Sequence, residues 1–306
     1  MSLNTGERAD EPKGAVHSAS AATAEGPESP LPPSESLIVI EPSRSWATPD
    51  LRALWAHREL LYFLIWRDLK VRYRQTLLGA ATWIIIQPFL MMLIFTLFFG
   101  MLMRVPSDGI PYPLFVYAGL FLWSFFSNTV RSSSSSIVGN SNLITKVYFP
   151  RLLIPLSIVG GRLVDLAITF LIIIGLTAYY EVALTWSVVM IPVLIAMVAL
   201  LALGIGTLVS AWNVKYRDVD AALPVLVQFW FFASPIIYPA SLVPINWQWL
   251  YFLNPMAVIV ENFRAALFGL EFNWSALGIS VITILTILVC SAYAFRRVEK
   301  SFADII

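Results

Sequence analysis

Apolar positions along the chain gather into runs much longer than a soluble core requires, near residues 77–103, 113–130, 152–180, 188–211, 223–238 and 276–295. A helix rises 1.5 Å per residue, so roughly 20 apolar residues cross a hydrocarbon core of ~30 Å. The pattern therefore predicts an all-α polytopic membrane protein with about six transmembrane helices. The stretch 241–272 is also apolar, but Pro244, Asn254-Pro255 and Glu261 interrupt it.

Basic residues set the expected orientation. Arg67, Lys70, Arg72 and Arg74 stand immediately before the first run, and cations beside a span stay in the cytoplasm. Arg131, Lys146 and Arg151, then Lys215 and Arg217, then Arg296, Arg297 and Lys300 alternate onto the same side, which leaves Arg104 and Arg264 as the outer cations. Both termini are thus expected in the cytoplasm, with an even number of crossings. Parity then makes 247–267 two short helices that dip into the outer leaflet and return. Such a re-entrant hairpin is tolerated only where its non-helical backbone is buried in protein or lines a wet cavity. A surface hairpin on the outer face satisfies parity equally.

Ahead of the first run, Thr48-Pro49-Asp50 offers an N-cap hydroxyl, a proline at the first helical position and an acid at the positive dipole end. Leu51, Leu54, Trp55, Leu61, Tyr62, Ile65 and Leu69 then recur at three and four. This predicts an amphipathic interface helix, lying either flat at headgroup depth or docked on the protein's own bundle.

Composition agrees with the membrane reading: 58% hydrophobic, 13% charged and a mean hydropathy of +0.75. The net charge of +1 conceals an acidic, Ser/Ala/Pro-rich tail over 1–36, which is too poor in apolar residues to offset the entropy of ordering and is expected to be disordered. The tail holds no apolar h-region near Met1, so no signal peptide is expected. A cytoplasmic segment over 37–76, a transmembrane domain over 77–295 and a cytoplasmic tail over 296–306 follow. The single cysteine, Cys290, and two histidines, His17 and His57, offer neither an intrachain disulfide nor a metal cluster.

Few residues suggest chemistry. Arg162 and Asp165 are an opposite-charge pair three residues apart inside an apolar run, which is either a cavity-facing pair or a salt bridge near the inner interface. No nucleophile stands with a base, and no carboxylate pair suits acid–base work. No G-x-x-x-x-G-K-[ST] loop is present to cradle ATP.

Four motifs in order carry a resemblance. Trp66-Arg67-Asp68-Leu69-Lys70-Val71-Arg72-Tyr73-Arg74, running on to Gly79, resembles the approach to the first span in ABC-2 type permeases of bacterial polysaccharide-export ABC transporters. Residues 140–151 (NSNLITKVYFPR) and 213–219 (NVKYRDV) resemble that family's loops between spans two and three and between spans four and five. Residues 234–239 (SPIIYP) with Leu253-Asn254-Pro255-Met256 are similar to its outer re-entrant region.

The resemblance implies an inner-membrane homodimer that exports a lipid-linked polysaccharide such as O antigen. Two separate ATPase subunits would bind the ATP and Mg; no cofactor belongs to this chain and no nucleic acid partner is implied. Coupling to the ATPase would fall to a short helix over 141–148, with Asn140, Asn142, Leu143, Ile144, Lys146, Phe149, Pro150 and Arg151, Pro150 stopping the helix before the next span. The alternative there is a loop anchored on phosphate headgroups by Lys146 and Arg151. Trp66, Arg67, Asp68, Lys70, Arg72 and Tyr73 would form the interface helix and its approach to the membrane. Trp123, Phe126, Trp230, Tyr238 and Trp249 would line a glycan path by stacking on sugar rings, or else serve as interfacial anchors. An ABC-2 exporter of teichoic acid, capsule, lipid or drug is the nearer rival, and a membrane glycosyltransferase the more distant one.

Overall fold

The computed structural model describes residues 51–74, 80–183 and 185–299. The acidic tail, the cap at Thr48-Pro49-Asp50 and the last residues 300–306 lie outside the described residues. Among those described, every regular element is helical. The helices are α1 (Leu51–Ala56), α2 (Arg58–Arg74), α3 (Ala80–Phe95), α4 (Tyr112–Ser134), α5 (Ser136–Gly139), α6 (Ser141–Lys146), α7 (Leu153–Tyr179), α8 (Ile191–Lys215), α9 (Asp218–Phe232), α10 (Ile245–Leu253), α11 (Pro255–Phe268) and α12 (Trp274–Glu299).

Among the described residues, five stretches are long and apolar enough to cross a membrane: Thr82–Leu102, Tyr112–Ser134, Leu153–Tyr179, Trp186–Lys215 and Trp274–Glu299. The first of them runs through α3 into a π-helical segment, Thr96–Leu102. Helix α4 is central, with 83% of its apolar window buried, whereas the first span is peripheral, with 11% buried. One glycine of α4 marks a close approach: a Cβ on Gly119 would stand 3.1 Å from the backbone of Ile236 and 2.9 Å from Arg264 Nη2.

The remaining expected span, 223–238, takes a mixed form. Helix α9 has 15 residues, about 22 Å of rise, too short to cross alone. The segment nevertheless follows α4 from end to end. Ser134 Oγ donates to Asp220 Oδ1 at 3.2 Å, Trp230 packs edge-on against Phe126 at 5.0 Å between centroids, and Tyr112 Oη donates to Ile237 O at 2.8 Å. The last stretch of the path is bent backbone, residues 233–238, and side chains replace the missing helix ladder. Arg264 Nη2 donates to Ile236 O at 2.8 Å, Asn254 Nδ2 to Ala233 O at 3.2 Å and Tyr238 Oη to Phe232 O at 2.9 Å. Ser234 and Ile236 are wholly buried, as irregular backbone inside a membrane protein must be.

Helices α10 and α11 form the hairpin expected around Asn254-Pro255. Asn254 caps α11, its Oδ1 accepting from Met256 N at 3.1 Å, with Pro255 in the first turn. Gly269 ends α11 in the left-handed region at φ 67°. The tip is held deep: Asn254 Oδ1 also accepts from Trp230 Nε1 at 2.9 Å, and Nδ2 donates to Ser234 Oγ at 3.0 Å. Helix α11 is buried along nearly its whole length among α4, α8 and α12, so its backbone is enclosed by protein.

At one end of the bundle a second apolar cluster joins Leu64 of α2, Ile137, Ile144, Phe149, Leu153 and Ile154, Ala211 and Val214 of α8, and Phe295 of α12. Arg131, Lys146, Arg151, Lys215, Arg296 and Arg297 lie in or beside these elements, and we call this the basic end. Asp108, Glu181 and Glu271 fall at the opposite end. The interface helix divides its apolar residues between two faces. Leu54, Leu60, Leu61 and Leu64 pack on the basic-end cluster, and Ile65 meets Gly160 so closely that a Cβ there would lie 2.5 Å from Ile65 Cδ1. Trp55, Tyr62, Phe63 and Trp66 stay exposed. The expected single helix is broken at His57 into α1 and α2, and docking on the bundle and an outward aromatic face coexist along the pair.

Candidate functional site

The Arg162–Asp165 pair belongs to a larger polar knot that sequence spacing does not reveal. Arg72 Nη1 lies 2.5 Å from Asp165 Oδ2, Arg162 Nη1 lies 3.2 Å from the same oxygen, and Tyr73 Oη donates to Oδ1 at 3.1 Å. Arg162 Nη2 reaches Ser132 Oγ at 2.6 Å. One carboxylate thus holds two guanidinium groups and a phenol, tying the end of α2 to α7 and, through Ser132, to α4. Burial, reinforced by Asp165, pushes the Tyr73 phenol up to about 12, so it remains a donor. Beside the knot is a cavity of 170 Å³ lined by Trp83, Gln87, Phe121, Asn128 and Thr169.

The loop between spans two and three is organised by the interface helix. Arg67 Nε and Nη2 bind Asp68 Oδ1 at 3.0 and 2.8 Å, and Nη2 also reaches Asn140 Oδ1 at 2.8 Å. Asn140 Nδ2 closes the arrangement on Ser136 O at 2.8 Å. Helix α6 stops at Lys146, two residues short of the expected 141–148, because Val147 turns extended. Ile144 and Phe149 are buried in the basic-end cluster and Leu143 packs against it, so the apolar pair Leu143-Ile144 anchors the loop to its own subunit. The outward surface is carried by Asn142, Thr145, Lys146, Val147 and Tyr148, with Tyr148 91% exposed. Pro150 is partly buried, and Arg151 donates to Glu299 O, joining the loop to the end of α12. Lys70 lies on α2.

The five aromatic candidates do not share one surface. Trp123 and Phe126 are buried, Trp123 meeting Phe126 and Phe231 at 5.5 Å each. Trp230 is committed to Phe126 and to Asn254, and Tyr238 to Phe232 O. Trp249 is exposed on α10. Trp123 and Phe126 therefore have no free face to offer a polymer in this structure, being packed between α4 and α9. The exposed aromatics nearby are Phe229 and Phe232 on α9, and Trp247 beside Trp249.

Sequence reading also missed Arg264 as a structural clamp. It is 4% exposed, its Nε donates to Phe115 O at 3.1 Å and its guanidinium lies 3.5 Å over the Phe115 ring. The available signal was an arginine three residues after Glu261 inside an apolar stretch, the two charges falling on one face of α11. Asn213, whose Nδ2 donates to Ser134 O at 3.0 Å, links α8 to α4 and was visible only as part of the NVKYRDV motif.

Comparison with known proteins converges on one group. The ABC-2 type transporter family matches residues 59–268. The chain is 34% identical over 218 residues to the O-antigen export system permease protein RfbA of Myxococcus xanthus, covering 70% of this chain and 82% of that protein. It is 28% identical over 254 residues to the protein of the same name from Klebsiella pneumoniae, covering 81% and 95%. The polysialic acid transport protein KpsM of Escherichia coli is 26% identical over 257 residues, 77% of this chain and 92% of that protein.

Proposed function

Since this chain belongs to the ABC-2 type transporter family, we propose that it is the permease subunit of an ATP-driven exporter that carries a lipid-linked polysaccharide of the O-antigen class across the inner membrane. The observation that carries this reading is similarity to O-antigen export permeases extending over most of the chain. The relationship to KpsM favours capsule export as the second reading. Deleting the gene and restoring it on a plasmid tests both. Surface O antigen should disappear and return, while loss of capsule with intact O antigen would move the assignment to the second reading.

In this reading two copies form the conduit and a separate ATPase pair binds ATP and Mg. The peripheral first span and the exposed face of α9, with Val225, Leu226, Phe229 and Phe232, are among the apolar surfaces open to lipid, a second copy or substrate. Motion enters at the basic end, where the loop, α2 and α12 are hydrogen-bonded into one unit. A partner shifts a two-state equilibrium only through contacts that differ between its states, and the exposed Lys146 and Tyr148 are the side chains positioned to make them. Changing Lys146→Glu together with Tyr148→Ala should lower co-purification of the ATPase at least about tenfold, the scale of losing one aromatic anchor, and leave membrane insertion intact. Undiminished co-purification with normal export would shift the role to the loop around Tyr216-Arg217.

Orientation is tested by cysteine labelling in a Cys290→Ala background, Cys290 being exposed. Cysteines placed at Ser2 and Ser301 should be shielded from an impermeant reagent in intact cells, and those at Asp108, Glu181 and Asn246 should react. Reaction at Ser301 would remove the even number of crossings.

A further inference from the structure

Away from the polar knot and the basic end, a cavity of 330 Å³ opens between the approach to α4, the α10–α11 hairpin and the turn after Gly269. Three carboxylates line it, Asp108, Glu261 and Glu271, against one guanidinium, Arg264. That guanidinium is already engaged with Phe115 O and Ile236 O. The field inside is therefore negative, and it opposes a phosphate or a sugar acid.

Among the described residues, two polar groups at the wall have no hydrogen-bond partner, although the Arg264 guanidinium one turn along α11 is near enough to act on the charge of one of them, Glu261. Tyr251 is 7% exposed, and its buried hydroxyl makes no hydrogen bond. Among the described residues no hydrogen bond or salt bridge reaches the half-buried Glu261 carboxylate. Buried polar groups are otherwise nearly always paired, and leaving them unpaired is destabilising. The pairing missing from the chain is what a ligand rich in hydroxyls supplies.

We propose that this cavity binds one uncharged pyranose unit of the exported glycan, an inference that rests on the export reading above. Its volume lies at the small end of ligand pockets, which begin at about 300 Å³. Hydroxyls of the sugar donate to Glu261 and Glu271, the Tyr251 hydroxyl completes the polar edge, and the apolar C–H face packs on Phe252. A metal ion is a poorer occupant: among the described residues no three His, Cys, Asp or Glu side chains come together as a metal site. Because the cavity lies at the end of the bundle opposite the basic cluster, it would take a sugar that has already crossed.

The test is saturation-transfer difference NMR on the full-length protein, with its ATPase, in lipid nanodiscs. The probes are methyl α-mannopyranoside, methyl β-galactopyranoside and methyl glucuronide. The two uncharged glycosides should receive saturation and the glucuronide should not. Glu261→Gln and Glu271→Gln should each weaken glycoside binding about tenfold, the scale of one charge-assisted hydrogen bond. Glu271 is exposed in a turn, so its variant keeps the fold, which an unchanged elution profile verifies. Transfer that is unaltered in both variants, preference for the glucuronide, or displacement of the glycosides by millimolar Mg²⁺ or Ca²⁺ would each overturn the proposal. If cells display the polymer while the protein binds no glycoside, the subsite falls and the export function stands. If deleting the gene leaves surface polysaccharide unchanged, the export reading falls, and the subsite with it.

Discussion

Asp165→Ala should remove most of the assembled protein from the membrane. The substitution leaves Arg72 and Arg162 facing an emptied site, and among the described residues the polar contact that remains to them in the knot is the bond from Arg162 to Ser132. Removing one partner of a buried ion pair costs roughly 3–5 kcal/mol. Here the arginine side chains keep 24% and 21% exposure, which places the loss near the lower figure, ~3 kcal/mol by the same principle. That is comparable with much of a domain's total stability. Thermal unfolding followed by size exclusion in detergent should show a sharply lower midpoint. Asp165→Asn keeps the acceptor without the charge and should fall between. The pair Arg72→Leu with Asp165→Ala should recover part of the loss, because the uncompensated charge goes with it, and the coupling between the two positions is then readable as a double-mutant cycle. If Asp165→Ala matches the wild-type midpoint, the knot does not hold α2 to α7.

Replacing Arg264 should be comparably damaging for a different reason. Its guanidinium satisfies two backbone carbonyls, Phe115 O and Ile236 O, from a side chain that is 4% exposed. Each orphaned group costs about 1–3 kcal/mol, so Arg264→Leu is expected to lose on the order of 4 kcal/mol and to free the bent backbone at 233–238. Arg264→Lys retains the charge but lacks the planar fork and should rescue little. Gly119→Ala probes the same junction from the other helix. The new methyl would meet Arg264 Nη2 and the Ile236 backbone, and overpacking of this kind costs about 1–3 kcal/mol. The order Arg264→Leu, then Gly119→Ala, then wild type in thermal midpoint is the expected series. An unchanged midpoint for Arg264→Leu would show that the bend is held by the hairpin alone.

Much of the architecture was legible because membrane helices are announced by length and by flanking charge. The runs at 152–180 and 276–295 reappear as α7 and α12 within a few residues. The proline-broken stretch was read as a hairpin, and Asn254 is its turn. What could not be read was contact between distant positions. Arg72 and Asp165 are 93 residues apart, and nothing in either local pattern says that the end of the interface helix reaches the third span. The aromatics misled for a related reason. Trp123 and Phe126 have the composition of a stacking surface, but burial against α9 is a property of the helix pairing, which periodicity within α4 does not encode. Leu143 and Ile144 likewise look like an outward apolar contact until the cluster around Leu64 and Phe295 is seen.

The path that α9 and residues 233–238 take along α4 bears on how the chain is synthesised. Helix α9 has 15 residues with Asp218 and Asp220 in its first turn, and the uncharged run that follows, 221–240, ends in bent backbone instead of helix. Its partners for the bent part come from both directions: Tyr112 is made long before it, but Asn254 and Arg264 emerge only afterwards. Newly made α9 must therefore wait beside α4 with open carbonyls until the hairpin is translated and folds back onto it. Premature termination anywhere between residues 239 and 264 is expected to leave a product that the cell's quality-control proteases remove, even though four complete apolar spans precede it.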